Sequence, residues 1–295
     1  MIRRRLVGWF ATHPRAQRAA LLAPGAVWLL VFFLAPLLIL LAYSFMPRGL
    51  YGGVERGFTL EHYARFVDPL YLSVLGRTVW LSLLATAGCF LLGLPTAWVI
   101  SRSAPRWRNL LLFLVVLPFW TSSLVRTYAM MFMLRDTGLV NSLLLHAGVI
   151  QTPLNLLYTE GAVLAGLVYA ALPFMVLPLY ASVEKLDPAL LEAAEILGAG
   201  PWARLREVIF PLILPGMVTG SLLVFIPSLG SFVVPDLLGG AKQMLIGNLV
   251  QNQFGPARNW PFGSAVSFGV MGVVLVVMLM FVRRGSSPRS PHLPL

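Results

Sequence analysis

Charged side chains are scarce in this chain, and acidic ones are the scarcest. Of its 295 residues, 11% are charged and 58% are hydrophobic, whereas soluble domains carry about 25% charged residues. The solvent around most of the chain is therefore lipid. Basic residues outnumber acidic ones by 22 to 11, but apolar runs of membrane-spanning length separate them. They form no single basic surface, so nucleic-acid binding is not expected.

Cysteine, histidine and lysine are nearly absent as well. The single cysteine, Cys89, lies in an apolar run, which excludes an intramolecular disulfide and favours a packing role. The four histidines are widely spaced and lack the pattern of a metal site. Neither Lys185 nor Lys242 stands in the Gly-Lys-Ser/Thr setting of a phosphate-binding loop. The sequence therefore predicts no metal site, no catalytic residues and no enzyme.

Long apolar runs are what the sequence has in abundance. A bilayer core needs about 20 apolar residues per helix. Six segments meet this need: residues 20–46, 74–101, 109–134, 161–182, 212–235 and 262–282. Arginines precede the first run, as in a secretory signal, but the run from Leu21 to Met46 is too long for a cleaved signal. The sequence predicts an all-α integral membrane protein with about six transmembrane helices.

Basic residues in the short connections predict the orientation, because Lys and Arg resist translocation. The N-terminal arm carries five arginines and no acid, and Arg102, Arg106 and Arg108 lie between the second and third spans. Both termini are therefore expected in the cytoplasm. The predicted organisation is a basic cytoplasmic arm over residues 1–19, a transmembrane domain over residues 20–282 and a cytoplasmic tail over residues 283–295.

The cytoplasmic connection between the fourth and fifth spans, residues 184–211, holds five of the eleven acids and reads EKLDPALLEAAEILGAGPWARLREVIFP. An Asp-Pro pair at Asp187 is typical of a helix start. Gly198 suits the left-handed position at a helix end, and the Gly-Pro pair at Gly200 can begin a second helix that Pro211 ends. The alternative interpretation is an amphipathic membrane-surface segment without a partner.

This 184–211 loop resembles the cytoplasmic loop of ABC importer permeases, whose pattern is Glu-Ala-Ala, three residues, Gly, nine residues, Ile, one residue, Leu-Pro. The matching positions are Glu192, Ala193, Ala194, Gly198, Val208, Phe210 and Pro211, with Val208 and Phe210 in place of Ile and Leu. The resemblance implies a MetI-like (type I) fold and a coupling helix that docks on an ATPase subunit. The small alanines permit close approach, and Glu192 offers a charged contact to a basic partner.

A second resemblance, from the second span onward, is to the first permease subunit of spermidine and putrescine importers. It is carried by RTVWLSLLATAGCFLLGLPTAW at 77–98, LPFWTSSLVRTYA at 117–129, LVYAALPFMVLPLYASVEKLD at 167–187, PDLLGGAKQMLIGNLVQNQF at 235–254 and NWPFGSA at 259–265. It implies a chain without a cofactor that forms a heterodimer with a second permease in the bacterial inner membrane. It also implies two ATPase subunits that use ATP and Mg²⁺, and a periplasmic solute-binding protein. Iron, sulfate or an opine are the alternative solutes, because their importers share this architecture.

A polyamine pathway needs carboxylates and aromatic faces, because a cation over an aromatic ring gains about 0.5 to 2 kcal/mol. The candidates are Asp236 and four aromatic residues, Trp120, Tyr128, Phe225 and Phe232. The alternative is that the aromatic residues belong to a lipid belt or to the core and that Asp236 is a solvated loop residue.

Arg126 lies inside the third predicted span, where an arginine usually faces protein or a water-filled cavity. We expect it to pair with an acid, either Asp136 or one on the second permease, and to help shape the gate. Snorkelling toward the outer interface is the alternative. Gly216 and Gly220 have the GxxxG spacing of a close helix contact, either with another subunit or within the chain.

Two other classes of protein compete with the importer hypothesis. A secondary transporter would show inverted halves or an intramembrane ion relay. A membrane-embedded enzyme would need polar catalytic residues clustered near an interface. The sequence shows neither pattern clearly.

Overall fold

The computed structural model describes residues 14–240 and 243–285. Within these residues the regular elements are helices, apart from one isolated bridge between Arg48 and Val54. The helices are α1 (Pro14–Leu29), a π turn (Leu30–Leu34), α2 (Ala35–Ser44), α3 (Glu61–Phe66), α4 (Pro69–Arg102), α5 (Pro105–Val116), a 3₁₀ turn (Leu117–Trp120), α6 (Ser123–Leu134), α7 (Leu139–His146), α8 (Glu160–Val183), α9 (Pro188–Ile196), α10 (Pro201–Ala203), a second π turn (Arg204–Ile209), α11 (Phe210–Gly230), α12 (Val233–Gly239), α13 (Ile246–Phe254) and α14 (Trp260–Gly285). The predicted all-α class is confirmed.

The termini are only partly covered by these helices. Within the predicted arm, residues 1–13 lie outside the described residues, and α1 begins at Pro14. Within the predicted tail, residues 286–295 lie outside them, and α14 continues to Gly285. Helical structure thus extends several residues beyond the predicted transmembrane domain at both of its ends.

Five helical segments among the described residues are long and apolar enough to cross a membrane. They are Leu21–Ser44, Pro69–Arg102, Glu160–Val183, Pro201–Gly230 and Trp260–Leu279. A sixth candidate consists of two helical pieces, Pro105–Trp120 and Ser123–His146, whose axes meet at a bend of 94°. The count agrees with the predicted six spans when the bent pair is taken as one.

The third predicted span, residues 109–134, consists of two helical pieces with a sharp bend between them. The chain leaves helical geometry at Thr121 and Ser122, whose ψ angles are 150° and 135°. Pro118 lies in the preceding 3₁₀ turn and has no backbone N–H to donate to a continuing ladder. The apolar composition conceals this break, because both sides of it are hydrophobic.

The predicted end of the second loop helix at Pro211 is also wrong. Helix continues from Pro201 through the second π turn and along α11 to Gly230. Pro211 lies in the first turn of α11, directly after the wider π turn, where the ladder is already interrupted and the missing N–H is tolerated. The 184–211 loop is therefore joined to the fifth span without a flexible connection.

The chain divides into two compact units, Met1–Phe66 with Gln253–Phe268 and Val67–Asn252 with Gly269–Leu295. In the first unit the Ser44 hydroxyl lies 2.8 Å from the Tyr63 hydroxyl, and the Arg48 guanidinium donates a hydrogen bond of 3.0 Å to the Ala257 carbonyl. The second unit contains the 184–211 loop and the candidate pathway residues.

Helix α8 is the centre of the second unit. In its most apolar stretch 50% of the residues are buried, compared with 33% in the most apolar stretches of Pro69–Arg102 and Pro201–Gly230. Met175 and Leu179 of α8 pack with Cys89 of α4 and Ile213 of α11 in one core cluster. The Sγ atom of Cys89 lies 3.5 Å from the Val168 carbonyl oxygen. This environment supports the packing role predicted for the single cysteine.

The GxxxG spacing of Gly216 and Gly220 makes a contact within the chain. A Cβ on Gly216 would collide with the Ser182 hydroxyl and with the Pro178 carbonyl oxygen of α8. A Cβ on Gly220 would lie 2.7 Å from the Met175 sulfur. Because the two backbones approach so closely, the alternative of a subunit contact through these glycines is not needed.

Replacing Gly216 by alanine should destabilise the protein, although alanine favours helix by about 1 kcal/mol. The collision with a backbone oxygen should outweigh that gain, since overpacking costs about 1–3 kcal/mol. Gly76→Ala in α4 is the matched control, because a Cβ there meets nothing within 4 Å. Thermal unfolding in detergent should show a lower midpoint for Gly216→Ala only, and an unchanged or higher midpoint would contradict the contact.

Candidate functional site

The first helix of the 184–211 loop begins where the sequence predicts it. The Asp187 carboxylate accepts a 2.9 Å hydrogen bond from the Ala189 N–H, and Pro188 occupies the first turn of α9. This cap satisfies a backbone donor that the helix leaves free. The predicted helix start is confirmed.

Gly198 forms the turn after α9. Its φ angle is +82°, its N–H donates a 2.9 Å bond to the Glu195 carbonyl, and the Ala199 N–H donates a 2.9 Å bond to the Ala194 carbonyl. A Cβ at Gly198 would meet nothing within 4 Å. The glycine is therefore required by the left-handed backbone and not by a crowded neighbour.

An apolar patch covers the exposed side of this turn. Ile196 and Leu197 are each 86% exposed and Trp202 is 75% exposed. We call these three residues the turn patch. Leu191, by contrast, packs against the core cluster around α8. The turn patch was not predicted, although apolar residues on both sides of the glycine turn are visible in the sequence.

Two ion pairs hold the loop, one across the Gly198 turn and one at its N-terminal end. Glu195 pairs with Arg204 at 2.6 Å across the turn, and Glu184 pairs with Arg108 at 2.8 Å near the start of α5. A cavity of about 440 Å³ lies beside the Glu195–Arg204 pair, and its lining includes Trp98, Arg102, Leu191 and Glu192. Within the part of the chain that the structure describes, Glu192 makes no ion pair, so its carboxylate is available to a partner.

The remaining motif residues lie in two different settings. Ala193 is exposed beside Glu192, whereas Ala194 is half-buried. Val208 and Phe210 are half-buried, and the Phe210 ring lies 6.3 Å from that of Phe90 in α4. The N-terminal part of the motif therefore forms an accessible surface. Its C-terminal part packs against α4 and connects that surface to the membrane-spanning helices.

A second cavity, of about 280 Å³, lies beside the break between α11 and α12. Three aromatic rings line it, from Phe119, Phe174 and Phe232, and the rings of Phe119 and Phe174 meet edge to face with centroids 4.8 Å apart. Arg126 and three serines also line it, and the rest of the lining is aliphatic residues, proline and glycine. We call this space the aromatic cavity.

Only two of the six predicted pathway residues, Arg126 and Phe232, line the aromatic cavity. Phe225 is 3% exposed and belongs to the core, whereas Trp120 is 74% exposed. Tyr128 is also exposed, and Trp120 meets Phe113 edge to face. The structure does not bring these three aromatic residues together.

Asp236 lies in the first turn of α12 and is exposed. Its carboxylate accepts a 2.6 Å hydrogen bond from the Asn248 amide, which also donates a 2.9 Å bond to the Phe232 carbonyl. Asp236 therefore holds α13 against the start of α12. Two lining residues, Phe119 and Phe174, are not among the predicted pathway residues. Phe119 lies in the 3₁₀ turn just before the break in the third predicted span, and Phe174 lies on α8.

Asp136, one of the two partners expected for Arg126, does not pair with it. Arg126 forms no ion pair with a described residue, and its Nε and Nη1 atoms are buried without a hydrogen-bond partner. Its guanidinium carbon lies 5.6 Å from the centre of the Phe119 ring. Asp136 stands beyond the end of α6 and is exposed.

Comparison with known proteins identifies relatives along nearly the whole chain. The spermidine/putrescine transport system permease protein PotB of Haemophilus influenzae is 48% identical over 255 residues, which cover 86% of this chain and 88% of the relative. Its Escherichia coli namesake is 47% identical over 253 residues, covering 85% and 92%. The E. coli inner membrane ABC transporter permease protein YdcU is 31% identical over 292 residues, covering 94% and 92%.

Solved structures share the fold. A chain of a bacterial ABC transporter involved in the import of the acidic polysaccharide alginate superposes with a TM-score of 0.72 at 18% identity, covering 94% of this chain and 97% of that one. A chain from a bacterial alginate ABC transporter in complex with an alginate pentasaccharide-bound periplasmic protein gives a TM-score of 0.69 at 20% identity, covering 92% and 95%. These likenesses show that the chain shares the fold of chains in bacterial ABC transporters.

A family model described as the inner membrane component of binding-protein-dependent transport systems matches residues 89–290. This match includes the whole 184–211 loop and the aromatic cavity. The chain therefore belongs to the family of binding-protein-dependent transport system inner membrane components, and it is a permease subunit of an ABC importer.

Proposed function

We propose that this permease imports polyamines and forms half of their translocation pathway. The observation that carries the proposal is the difference in similarity between relatives. Permeases named for spermidine and putrescine are 46–48% identical over 85–88% of this chain. A putative permease named for 2-aminoethylphosphonate is 28% identical over 71% of it.

The aromatic cavity supports a cationic solute. Three phenylalanine rings in a small space offer faces on which an ammonium group gains cation–π energy when it loses its water. Serine hydroxyls in the same lining can accept hydrogen bonds from an amine. The positive charge of Arg126 would repel an ammonium group in this cavity unless an acid neutralises it.

The 184–211 loop is proposed as the coupling element that docks on an ATPase subunit. The turn patch supplies exposed apolar area, and Glu192 supplies an unpaired carboxylate beside it. Arg108 ties the base of the loop to α5 through Glu184. Because helix is continuous from Pro201 to Gly230, a displacement of the docked turn would move α11 with it.

The proposed assembly contains one copy of this chain and a second permease. Two ATPase subunits bind and hydrolyse ATP with Mg²⁺, and a periplasmic solute-binding protein delivers the solute. A cytoplasmic location for the termini and for residues 184–211 is part of the proposal. The ion pair between Arg108 and Glu184 supports it, because it places the arginine-rich connection 102–108 at the same end of the helices as the loop.

The polyamine proposal predicts ATP-dependent uptake of labelled spermidine and putrescine. The complete complex, with its binding protein, should be reconstituted into proteoliposomes that contain ATP. Matched vesicles without ATP should accumulate neither compound. A complex that hydrolyses ATP and transports iron, sulfate or an opine, while its binding protein ignores both amines, would contradict the proposed solute and favour the corresponding alternative.

The coupling proposal predicts that Gly198→Ala lowers the amount of solute imported per ATP hydrolysed. An L residue in the left-handed region costs about 1–2 kcal/mol, which corresponds to a factor of about 5 to 30 in a conformational equilibrium. Gly200→Ala is the matched control, because Gly200 has a φ angle of −65° and open space around its Cβ position.

Asparagine tolerates the left-handed conformation better than alanine does. Gly198→Asn should therefore retain more coupling than Gly198→Ala. Equal coupling in the parent protein, Gly198→Ala and Gly200→Ala would show that the turn does not transmit the work of the ATPase.

A further inference from the structure

Arg126 is a half-buried cation that has no acceptor among the residues that the structure describes. All eleven acidic residues lie within the described ranges, and none forms an ion pair with Arg126. Two of its guanidinium nitrogens, Nε and Nη1, are buried and have no hydrogen-bond partner. Removing such a group from water without pairing it is strongly unfavourable. These two nitrogens therefore need an acceptor from outside the described part of the chain.

The local field makes an acceptor more necessary. Arg126 is the fourth residue of α6, and the N-terminal turn of a helix carries partial positive charge, which disfavours a cation. The nearby Ser228 hydroxyl is already engaged, since it donates a 2.7 Å bond to the Val224 carbonyl. The Phe119 ring face gives partial compensation only.

The depth of Arg126 argues against a lipid headgroup as the acceptor. Ala170 and Phe174 of α8 line the same cavity as Arg126. They follow the first residue of α8 by ten and fourteen positions. At about 1.5 Å per residue, they lie about 15 and 21 Å along a helix of about 36 Å. The cavity is thus level with the middle of the span, where a phosphate group does not reach and snorkelling is not supported.

We infer that a carboxylate of the second permease chain pairs with Arg126 and closes the aromatic cavity at the interface between the two permeases. A cationic solute cannot supply this group, because it carries the same charge as the guanidinium. A neutralised Arg126 would leave the phenylalanine faces free for an ammonium group. This inference rests on the proposed heterodimer and on the proposed cationic solute.

The first test measures how firmly the second permease is held. Arg126→Gln, in the full complex solubilised in detergent, should retain about tenfold less second permease after affinity purification through a tag on this chain, because the partner's buried carboxylate loses its counter-charge. Arg126→Lys should restore most of the retention. Arg135→Gln is the matched control, since Arg135 is exposed at the end of α6 and should have no effect.

The second test is a cross-linking experiment on the complex with Arg126 intact. A photoreactive benzoylphenylalanine in place of Phe119 should cross-link this chain to the second permease, and mass spectrometry should locate the product on a peptide that contains Asp or Glu.

A charge swap then tests the acid that the cross-link locates. Replacing that acid by arginine, or making Arg126→Asp alone, should lower the retention of the second permease, and the two changes together should restore it.

The outcomes separate this inference from the proposed function. Parent-like retention in Arg126→Gln, or cross-links from position 119 to lipid or to this chain alone, would overturn the ion pair even if spermidine is transported. A parent complex that binds and transports an anion would overturn the proposed solute, and Arg126 would then be a contact for that anion.

Discussion

The burial of α8 between α4 and α11 is the constraint on which the second unit depends. Gly216 and Gly220 allow the backbone of α11 to approach α8 so closely that no side chain fits between them. An ion pair stands at each end of α8. Glu160, its first residue, pairs with Arg77, and Glu184, which follows its last residue, pairs with Arg108. Helix α8 is thus fixed to its neighbours along its length.

This arrangement connects the two candidate sites mechanically. The middle of α8 forms one wall of the aromatic cavity, through Ala171 and Phe174. Its C-terminal end leads through Glu184 into the 184–211 loop. The loop returns without interruption into α11, which packs against α8 again. Under the proposed function, a displacement of the turn patch would reach the cavity through these two closely packed helices.

Composition and local motifs were sufficient to predict the class, the approximate spans and the turn at Gly198, because these depend on hydrophobicity and on backbone chemistry close in sequence. The break at Thr121 and the continuation of helix through Pro211 were not predictable in this way. Both depend on whether neighbouring turns can satisfy the backbone carbonyl that a proline leaves without a donor, and the apolar composition of a segment does not show this.

The pathway residues were the least predictable part. Arg126 is recognisable from the sequence because a charge within an apolar run is rare. Phe119 and Phe174 cannot be distinguished in the sequence from the other apolar residues around them. Asp236 looked like a ligand for a cation, but its carboxylate holds Asn248. Sequence patterns report residue types, and the bend after Trp120 decides which of them face a common space.

In the proposed function, the 184–211 loop is the surface on which the ATPase acts. Its most direct test is a photoreactive benzophenone attached to Ala193→Cys in a Cys89→Ala background, which removes the chain's only other cysteine. In inside-out membrane vesicles containing the complete importer, illumination should join this chain to the ATPase subunit. Exclusive reaction with lipid or with the periplasmic binding protein would contradict the account.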